Sequence, residues 1–393
     1  MYAKKGRHQK EFEYDKEVQY RRVSTTFDEW YNYFSYAVDK TDGLSGLNGL
    51  NRNFRRALFF RNAKRPFFAS RWYYYNYALQ VARDLRKERC DIVHIQTFSQ
   101  FAPIIRAFNP KTKIVLHMHC EWLTQLDYEM IESRLRYADL IIGVSDYITE
   151  KIRYCFPQFA KRCQTLYNAV DINTFANKNH QSVLNKNGSK QLTFVGRVSP
   201  EKGVHVLLDA FQQILKQHPH VQLKIVGPQY SLPIEYLIAL SDDSKEKDLK
   251  RFYSSNYLVY LKNQLSSSEA SHVSFVGVVP HRLIPNLYKS TDVCVVPSVC
   301  NEPLGMPVIE AIAAGIPVVA TRAGGIPEIV ADCKTALLVE RGNASALAEA
   351  ISCLLLDEKL RKSIAKAGRE RATDFSWDKT VKRLLQLYKT MFG

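Results

Sequence analysis

Two short segments in the C-terminal half of the chain combine charge and glycine in a way that suits phosphate chemistry. The first runs from Phe194 to Gly203 (FVGRVSPEKG). An apolar run ends at Gly196, and Arg197 and Lys202 follow before a helical pattern begins. Two cations between a strand end and a helix start suit a diphosphate. Taken alone, the same residues also fit a solvated basic loop. The second segment runs from Pro297 to Gly315 (PSVCNEPLGMPVIEAIAAG). Pro307 suits a first helical turn, and Gly305 lets the backbone approach a ligand closely. The N–H groups of Leu304, Gly305 and Met306 are then free to hold phosphate oxygens. Glu310, one turn into the helix, suits a pair of vicinal hydroxyls such as those of a ribose. Glu302 on the preceding loop reaches another part of the same ligand. A pair of surface glutamates, one serving the helix dipole, is the plainer alternative. A third segment, Ala320 to Glu328 (ATRAGGIPE), sets two glycines after a strand. It fits a backbone wall for a base or sugar, and equally a tight turn.

These segments need a scaffold of strands and helices. Apolar runs at 91–95, 113–119, 139–145, 192–196, 221–227, 273–277, 293–297 and 317–321 read as buried strands. Helical patterns fall between them, at 75–89, 129–137, 203–216, 284–289, 308–314 and 345–356. Strands apolar on both faces and separated by helices imply parallel sheets covered on both sides. The polar, aperiodic stretch 176–191 divides the chain. The expected organisation is therefore a Rossmann-like domain over 1–175, a linker over 176–191 and a second Rossmann-like domain over 192–375. A terminal amphipathic helix over 376–393 is placed to pack back on the first domain. Residues 229–272 read as a helical insertion.

The length of 393 residues suits two domains. The composition, 46% hydrophobic, is that of a globular protein. No apolar run is long enough to span a bilayer, and the charged N-terminus has no apolar core of a secretory signal. The eight cysteines form no C-x-x-C pair, which argues against a zinc site or a disulfide framework and for reduced thiols in the cytoplasm. No G-x-G-x-x-G follows a strand, which argues against a dehydrogenase. The net charge is +16. Seven basic residues (Arg52, Arg55, Arg56, Arg61, Lys64, Arg65 and Arg71) lie within twenty positions that hold no acid and many aromatics. That mixture suits an anionic membrane surface or a phosphate-bearing acceptor. It also suits single-stranded nucleic acid or a half-buried helix whose arginine stems cover apolar surface.

Together the three C-terminal segments resemble the family-4 retaining glycosyltransferases, also called glycosyl transferases group 1, which have the GT-B fold. Gly196-Arg197-x-x-x-x-Lys202-Gly203 and Glu302-Pro-x-Gly305-x-x-x-x-Glu310 match the family's donor-site pattern in order and spacing. The Gly-Gly-x-Pro-Glu328 tail matches as well. Weaker similarity continues through Asp91–His94, Ala138–Ser145 and Tyr167–Asp171, and the resemblance covers about residues 85–390. It implies two Rossmann-like doubly wound domains facing a cleft, and a nucleotide-sugar donor with no metal cofactor, in keeping with the lack of a D-x-D sequence. It implies that Arg197 and Lys202 neutralise the donor diphosphate, that Glu310 holds the ribose, and that Glu302 faces the transferred sugar. His119, after the strand 114–118, stands where the family has a histidine facing the cleft, followed here by Cys120.

The resemblance also implies a first strand, a glycine-rich loop, a helix and a second strand at the start of the N-terminal domain. Lys16–Val23 is similar to the family's third strand, and no counterpart of the earlier elements is found before it. The N-terminal sheet is therefore expected to have a central gap, and the glycines at 43, 46 and 49 follow no strand. The expected function is transfer of a sugar from a nucleotide diphosphate, UDP by family frequency, to a glycan or lipid-linked acceptor of cell-surface polysaccharide or glycolipid synthesis. The expected place is the cytoplasm or the inner face of the cell membrane, with anionic-membrane contact through 52–75 and no nucleic acid partner. A truncated, non-catalytic relative that binds nucleotide sugar or a partner is the competing class.

Overall fold

Each of the eight apolar runs forms a strand paired in parallel in the computed structural model. The structure describes residues 1–5, 9–15, 17–26, 28–29, 64–176 and 189–393. It consists of two units, Met1–Gly143 with Thr149–Gln164, and Val144–Ile148 with Thr165–Gly393. Most of the expected linker, and the glycines at 43, 46 and 49, lie outside the described residues.

The first unit carries a four-stranded sheet in the order β4-β5-β6-β7. Its strands are β4 (Ile92–Gln96), β5 (Lys113–Met118), β6 (Leu140–Gly143) and β7 (Cys163–Thr165). Residues Ile114 to Met118 of β5 and Leu140 to Gly143 of β6 are all buried, which is why these runs, His117 apart, are apolar rather than alternating. Helices α1 (Tyr75–Glu88), α2 (Phe101–Phe108), α3 (Tyr128–Leu135) and α4 (Asp146–Cys155) connect or flank the strands.

A separate three-stranded sheet in the order β1-β3-β2 holds β1 (Tyr2–Lys4), β2 (Phe12–Asp15) and β3 (Val18–Val23). The expected strand at Lys16–Val23 is present as β3, and two short strands precede it. β1 pairs with β3 in parallel, Tyr2 opposite Arg21, and β2 pairs with it antiparallel. Neither was legible as a strand, because β2 is exposed on both faces and β1 is three residues long. Asp84 of α1 anchors this sheet. It pairs with Arg21 and accepts the Tyr2 hydroxyl at 2.6 Å. A cavity of about 910 Å³ is lined by Tyr2 and Lys4 of β1, by β4 from Ile92 to Gln96, and by Tyr77, Val81 and Leu85 of α1.

The second unit carries a six-stranded sheet in the order β10-β9-β8-β11-β12-β13. Its strands are β8 (Gln191–Val195), β9 (Gln222–Val226), β10 (Val273–Gly277), β11 (Val293–Val296), β12 (Val318–Thr321) and β13 (Leu337–Val339). Neighbouring strands in this sheet run parallel. The strand numbering steps outward from β8 and then restarts at β11. That reversal between β8 and β11 is the position where open α/β sheets bind ligands, beyond the carboxyl ends of the strands. Helix α5 (Val204–Gln217) follows β8 and buries Val204, Leu207, Leu208, Phe211 and Ile214 at helical spacing. Each contributes about 1.5–3 kcal/mol by its burial. The insertion contributes helix α6 (Tyr257–Asn263) and several shorter turns. Helices α7 (Met306–Ala313), α8 (Ala344–Leu356), α9 (Glu358–Ala372) and α10 (Trp377–Lys389) complete the unit. The α10 start is tied to residues of its own unit, with Val170 bridged to Ser376 and the Thr380 hydroxyl on the Tyr167 carbonyl.

Candidate functional site

The site is built where β8 and β11 end. Gly196 closes β8 by donating its N–H to the Val226 carbonyl at 2.9 Å. The chain then passes Arg197, makes a 3-10 turn at Pro200–Lys202 and enters α5. Gly203 stands at the junction with φ +72°, and a Cβ there would lie 1.9 Å from the Pro297 carbonyl oxygen. Glycine alone meets both demands without strain. The close approach brings the β8 loop against the β11 loop, and the Glu201 carbonyl accepts the N–H groups of Val299 and Cys300 at 3.0 and 3.2 Å. The two charged motifs of the sequence therefore share one edge of the sheet.

Both cations are held by carboxylates. The Arg197 guanidinium donates from Nη2 and Nε to Glu201 Oε1 at 2.6 and 3.1 Å, and the Ser199 hydroxyl donates to the same oxygen at 2.6 Å. Lys202 Nζ donates to Glu302 Oε1 at 2.6 Å, and the Ser298 hydroxyl donates there at 2.5 Å. Burial pushes the Glu302 carboxyl up, but the Lys202 ammonium, the Ser298 hydroxyl and the Arg197 charge outweigh it. Glu302 is held below the ordinary glutamate range.

The β11 loop itself is pinned from several sides. Thr321 donates its hydroxyl to the Ser298 carbonyl at 2.7 Å, and the Ser145 hydroxyl donates to the Pro303 carbonyl at 2.5 Å. The buried Glu246 of the insertion accepts the Asn301 N–H at 2.8 Å. Gly305, at φ +101°, is the N-cap of α7, and Pro307 sits in the first turn. The N–H groups of the first turn of a helix have no intrahelical acceptor, so those at Leu304, Gly305 and Met306 stand at the positive end of α7. Glu310 follows one turn on. It is buried, and burial pushes its carboxyl above the ordinary range, an effect that His281 partly opposes. His281 Nε2 lies 2.9 Å from Glu310 Oε1.

The paired glycines of the third segment pack on protein. Gly324 donates its N–H to Asn301 Oδ1 at 3.1 Å, and Gly325 donates to the Glu302 carbonyl at 2.8 Å. The glycines brace the loop of Glu302 with their own N–H groups. Glu328, at the end of the segment, accepts the N–H groups of Asp146 and Tyr147 at 2.7 and 2.5 Å.

Gly196, Arg197, Lys202, Glu302, Leu304, Gly305, Met306 and Glu310 thus all belong to the second unit and gather at the ends of β8 and β11. His119 belongs to the first unit, directly after β5, where its Nε2 lies 2.7 Å from Gln96 Oε1. Burial holds its pKa below the ordinary histidine value. His117 is buried beneath it, ring centroids 4.4 Å apart.

Of the basic and aromatic stretch, Arg52, Arg55, Arg56 and Arg61 lie outside the described residues. Arg65 is paired with Asp127 at 2.7 Å, and Arg71 stacks over Trp72, 4.7 Å from its centroid. Within 64–71 the described residues form no α-helix. A 3-10 turn at Phe67–Ala69 buries Phe68 and Ala69, and Trp72 is exposed. Among the described residues, no helix is long and apolar enough to cross a membrane.

Sequence reasoning missed Glu201, Ser298, Glu246 and His281. Glu201 carried a usable signal, being four residues after Arg197 within the same motif. Glu246 and His281 carried none, since each comes from a segment far from the charged motifs and is joined to them only by folding.

Two α/β units of parallel sheet, with this charged edge in the second, define a glycosyltransferase of the GT-B class. The chain belongs to the family glycosyl transferases group 1, whose model matches residues 175–371, while residues 42–174 match Glycosyltransferase Family 4. The chain is 29% identical over 327 residues to spore coat protein SA of Bacillus subtilis (strain 168), covering 80% of this chain and 82% of that protein. Its fold is similar to Anabaena Alr3699/HepE in complex with UDP and glucose, with a TM-score of 0.65 at 22% identity over 80% of this chain and 81% of that one. It is also similar to the sucrose-phosphate synthase of Thermosynechococcus elongatus, with a TM-score of 0.67 at 22% identity over 100% of this chain and 88% of that one.

Proposed function

We propose that this glycosyltransferase moves a sugar from a UDP-sugar to a glycan or lipid-linked acceptor, with retention of anomeric configuration and without a metal ion. The observation that carries the reading is the gathering of Arg197, Lys202, Glu302 and Glu310 at the ends of β8 and β11, beside the first turn of α7.

A departing nucleoside diphosphate needs positive charge where its own charge grows. Arg197 and Lys202 supply two cations, and the N–H groups at 304–306 add the positive end of a helix. In this reading those groups, rather than a metal, meet the diphosphate. Both cations are held in place beforehand, by Glu201 and by Glu302, so little reorganisation is needed when donor binds. Glu310 takes the ribose hydroxyls, and Glu302 takes hydroxyls of the transferred sugar while keeping Lys202 in place. UDP is favoured over GDP and ADP because the similar HepE structure holds UDP and glucose. His119 enters the reading through the family resemblance, as a hydrogen-bonding partner of the donor sugar. The basic and aromatic stretch from Arg52 to Tyr75 is assigned to the acceptor side, where it suits a lipid-linked or anionic acceptor at the inner membrane face.

The test is calorimetric titration of the purified chain with UDP, GDP and ADP, beside the double variant Arg197→Ala, Lys202→Ala. Binding of UDP that the double variant loses is the expected result. A folded wild-type chain that binds none of the three overturns the reading.

A further inference from the structure

We propose that His281 is a positioning residue for Glu310, and that through this contact it sets how strongly the site selects nucleotides by their ribose hydroxyls. The inference rests on the nucleotide reading of the same site given above.

The starting point is the isolation of Glu310. Its carboxyl is carried on α7 between Ile309 and Ala311, both fully buried, and is itself buried. A buried carboxylate needs hydrogen-bond donors to stay charged. Among the described residues, the donor found for it is His281, whose Nε2 lies 2.9 Å from Oε1. No lysine or arginine is paired with it among the described ion pairs, unlike Glu201 and Glu302.

His281 is brought there by the loop after β10. Gly277 turns the chain at φ +79°, and His281 opens a 3-10 turn directly after Pro280. The ring is backed by Phe175, at 6.0 Å between centroids, and Phe175 in turn stands 6.2 Å from the buried Tyr288. Three-quarters of the His281 side chain is nevertheless exposed. The ring therefore has a fixed rear face and an open front, beside a carboxylate proposed to hold a ribose.

The consequence is geometric. A carboxylate gripped by a ring N–H at one oxygen loses its freedom to rotate about the terminal torsion. Its remaining lone pairs then point in set directions for hydroxyl donors, of which a ribose offers two. Removing the ring leaves the carboxylate to rotate and to protonate more readily, because burial no longer has an opponent. A protonated carboxyl is a poorer acceptor for the ribose and has lost the charge that strengthens those bonds. The effect falls on the ribose end of the ligand. The diphosphate end, held by Arg197 and Lys202, keeps its contacts.

The experiment measures Kd by calorimetry for UDP, 2′-deoxy-UDP and 3′-deoxy-UDP on the wild-type chain, His281→Ala and His281→Gln, each confirmed folded by circular dichroism. Wild type is expected to prefer UDP over its deoxy analogues. His281→Ala is expected to weaken UDP by roughly ten- to a hundred-fold, the range of a hydrogen bond involving a charged group, while the analogues change far less. His281→Gln, whose amide donates in place of the ring, is expected to recover part of the preference. In steady state, the donor KM rises in His281→Ala with kcat little changed. An unchanged preference in His281→Ala overturns this inference and leaves the nucleotide reading standing, and so does an equal loss for all three ligands. A wild-type chain that binds none of them overturns the nucleotide reading itself.

Discussion

Lys202 and Glu302 lie 100 residues apart in the chain and meet at 2.6 Å, joined by the Ser298 hydroxyl on the same carboxylate oxygen. One is the last residue of the turn before α5, and the other sits on the loop before α7. The contact sets a cation and a carboxylate side by side where the proposed chemistry needs both.

Lys202→Met keeps the apolar stem and removes the charge. It leaves Glu302 buried with the Ser298 hydroxyl as its remaining close donor, which costs about 1–3 kcal/mol at neutral pH. The Glu302 carboxyl is depressed in the folded state. Its contribution is therefore present above the unfolded glutamate pKa and fades as pH falls through the lower folded value. Urea titrations at pH 7 should separate the variant from wild type, and the two curves should converge in acid, below the ordinary glutamate range. A gap that stays constant into that range contradicts the pairing.

Glu310 has the opposite sign. Burial raises its carboxyl, so folding disfavours the charged form, and that penalty is present at neutral pH and relieved as pH falls. Glu310→Gln should match or exceed wild type in stability at pH 7 while losing affinity for UDP. Wild-type affinity should decline on the acid side from a higher pH than an ordinary glutamate would give, and calorimetry across pH 4–8 should show this limb missing in the variant.

Arg197→Ala removes one preorganised donor to the leaving diphosphate. By comparison with other preorganised donors, kcat should fall about 10²–10³-fold. Glu201→Gln should act in the same direction but less, because it loosens the Arg197 side chain without removing it. Initial rates with a saturating UDP-sugar, once an acceptor is in hand, check both. Chelation of divalent ions with EDTA should leave those rates unchanged, and a loss restored by added metal would remove the metal-independent reading.

Gly203→Ala tests the backbone contact. An added Cβ would meet the Pro297 carbonyl oxygen at 1.9 Å, on a residue at φ +72°. The left-handed conformation alone costs about 1–3 kcal/mol for other residues, and the clash forces the two loops apart. The expected result is a lower unfolding midpoint together with weaker UDP binding. Loss of neither would mean that the loops are not held together at this point.

The central expectations about fold and site were legible from particular residues. Val293–Val296 could form little but a buried parallel strand, because four successive β-branched or small apolar side chains suit a sheet covered on both faces. The Gly196–Gly203 and Glu302–Glu310 spacings placed their charges at strand ends, since a βα unit has only one place where a strand gives way to a helix. These were local matters of pattern and backbone conformation, and local interactions are what a linear sequence displays. The tertiary structure decided the rest. It paired Arg197 with Glu201 and Lys202 with Glu302, so that each cation is held by a carboxylate. It turned Gly324 and Gly325 inward to brace the Glu302 loop. It also placed β1 beside β3, brought Glu246 from the insertion to Asn301, and set His281 on Glu310. Apart from Arg197 and Glu201, which are four residues apart, each of these joins segments whose separation along the chain carries no information about their distance in space. Only the burial of the shared apolar core, which draws the β8, β10 and β11 ends together, determines which polar groups must then satisfy one another.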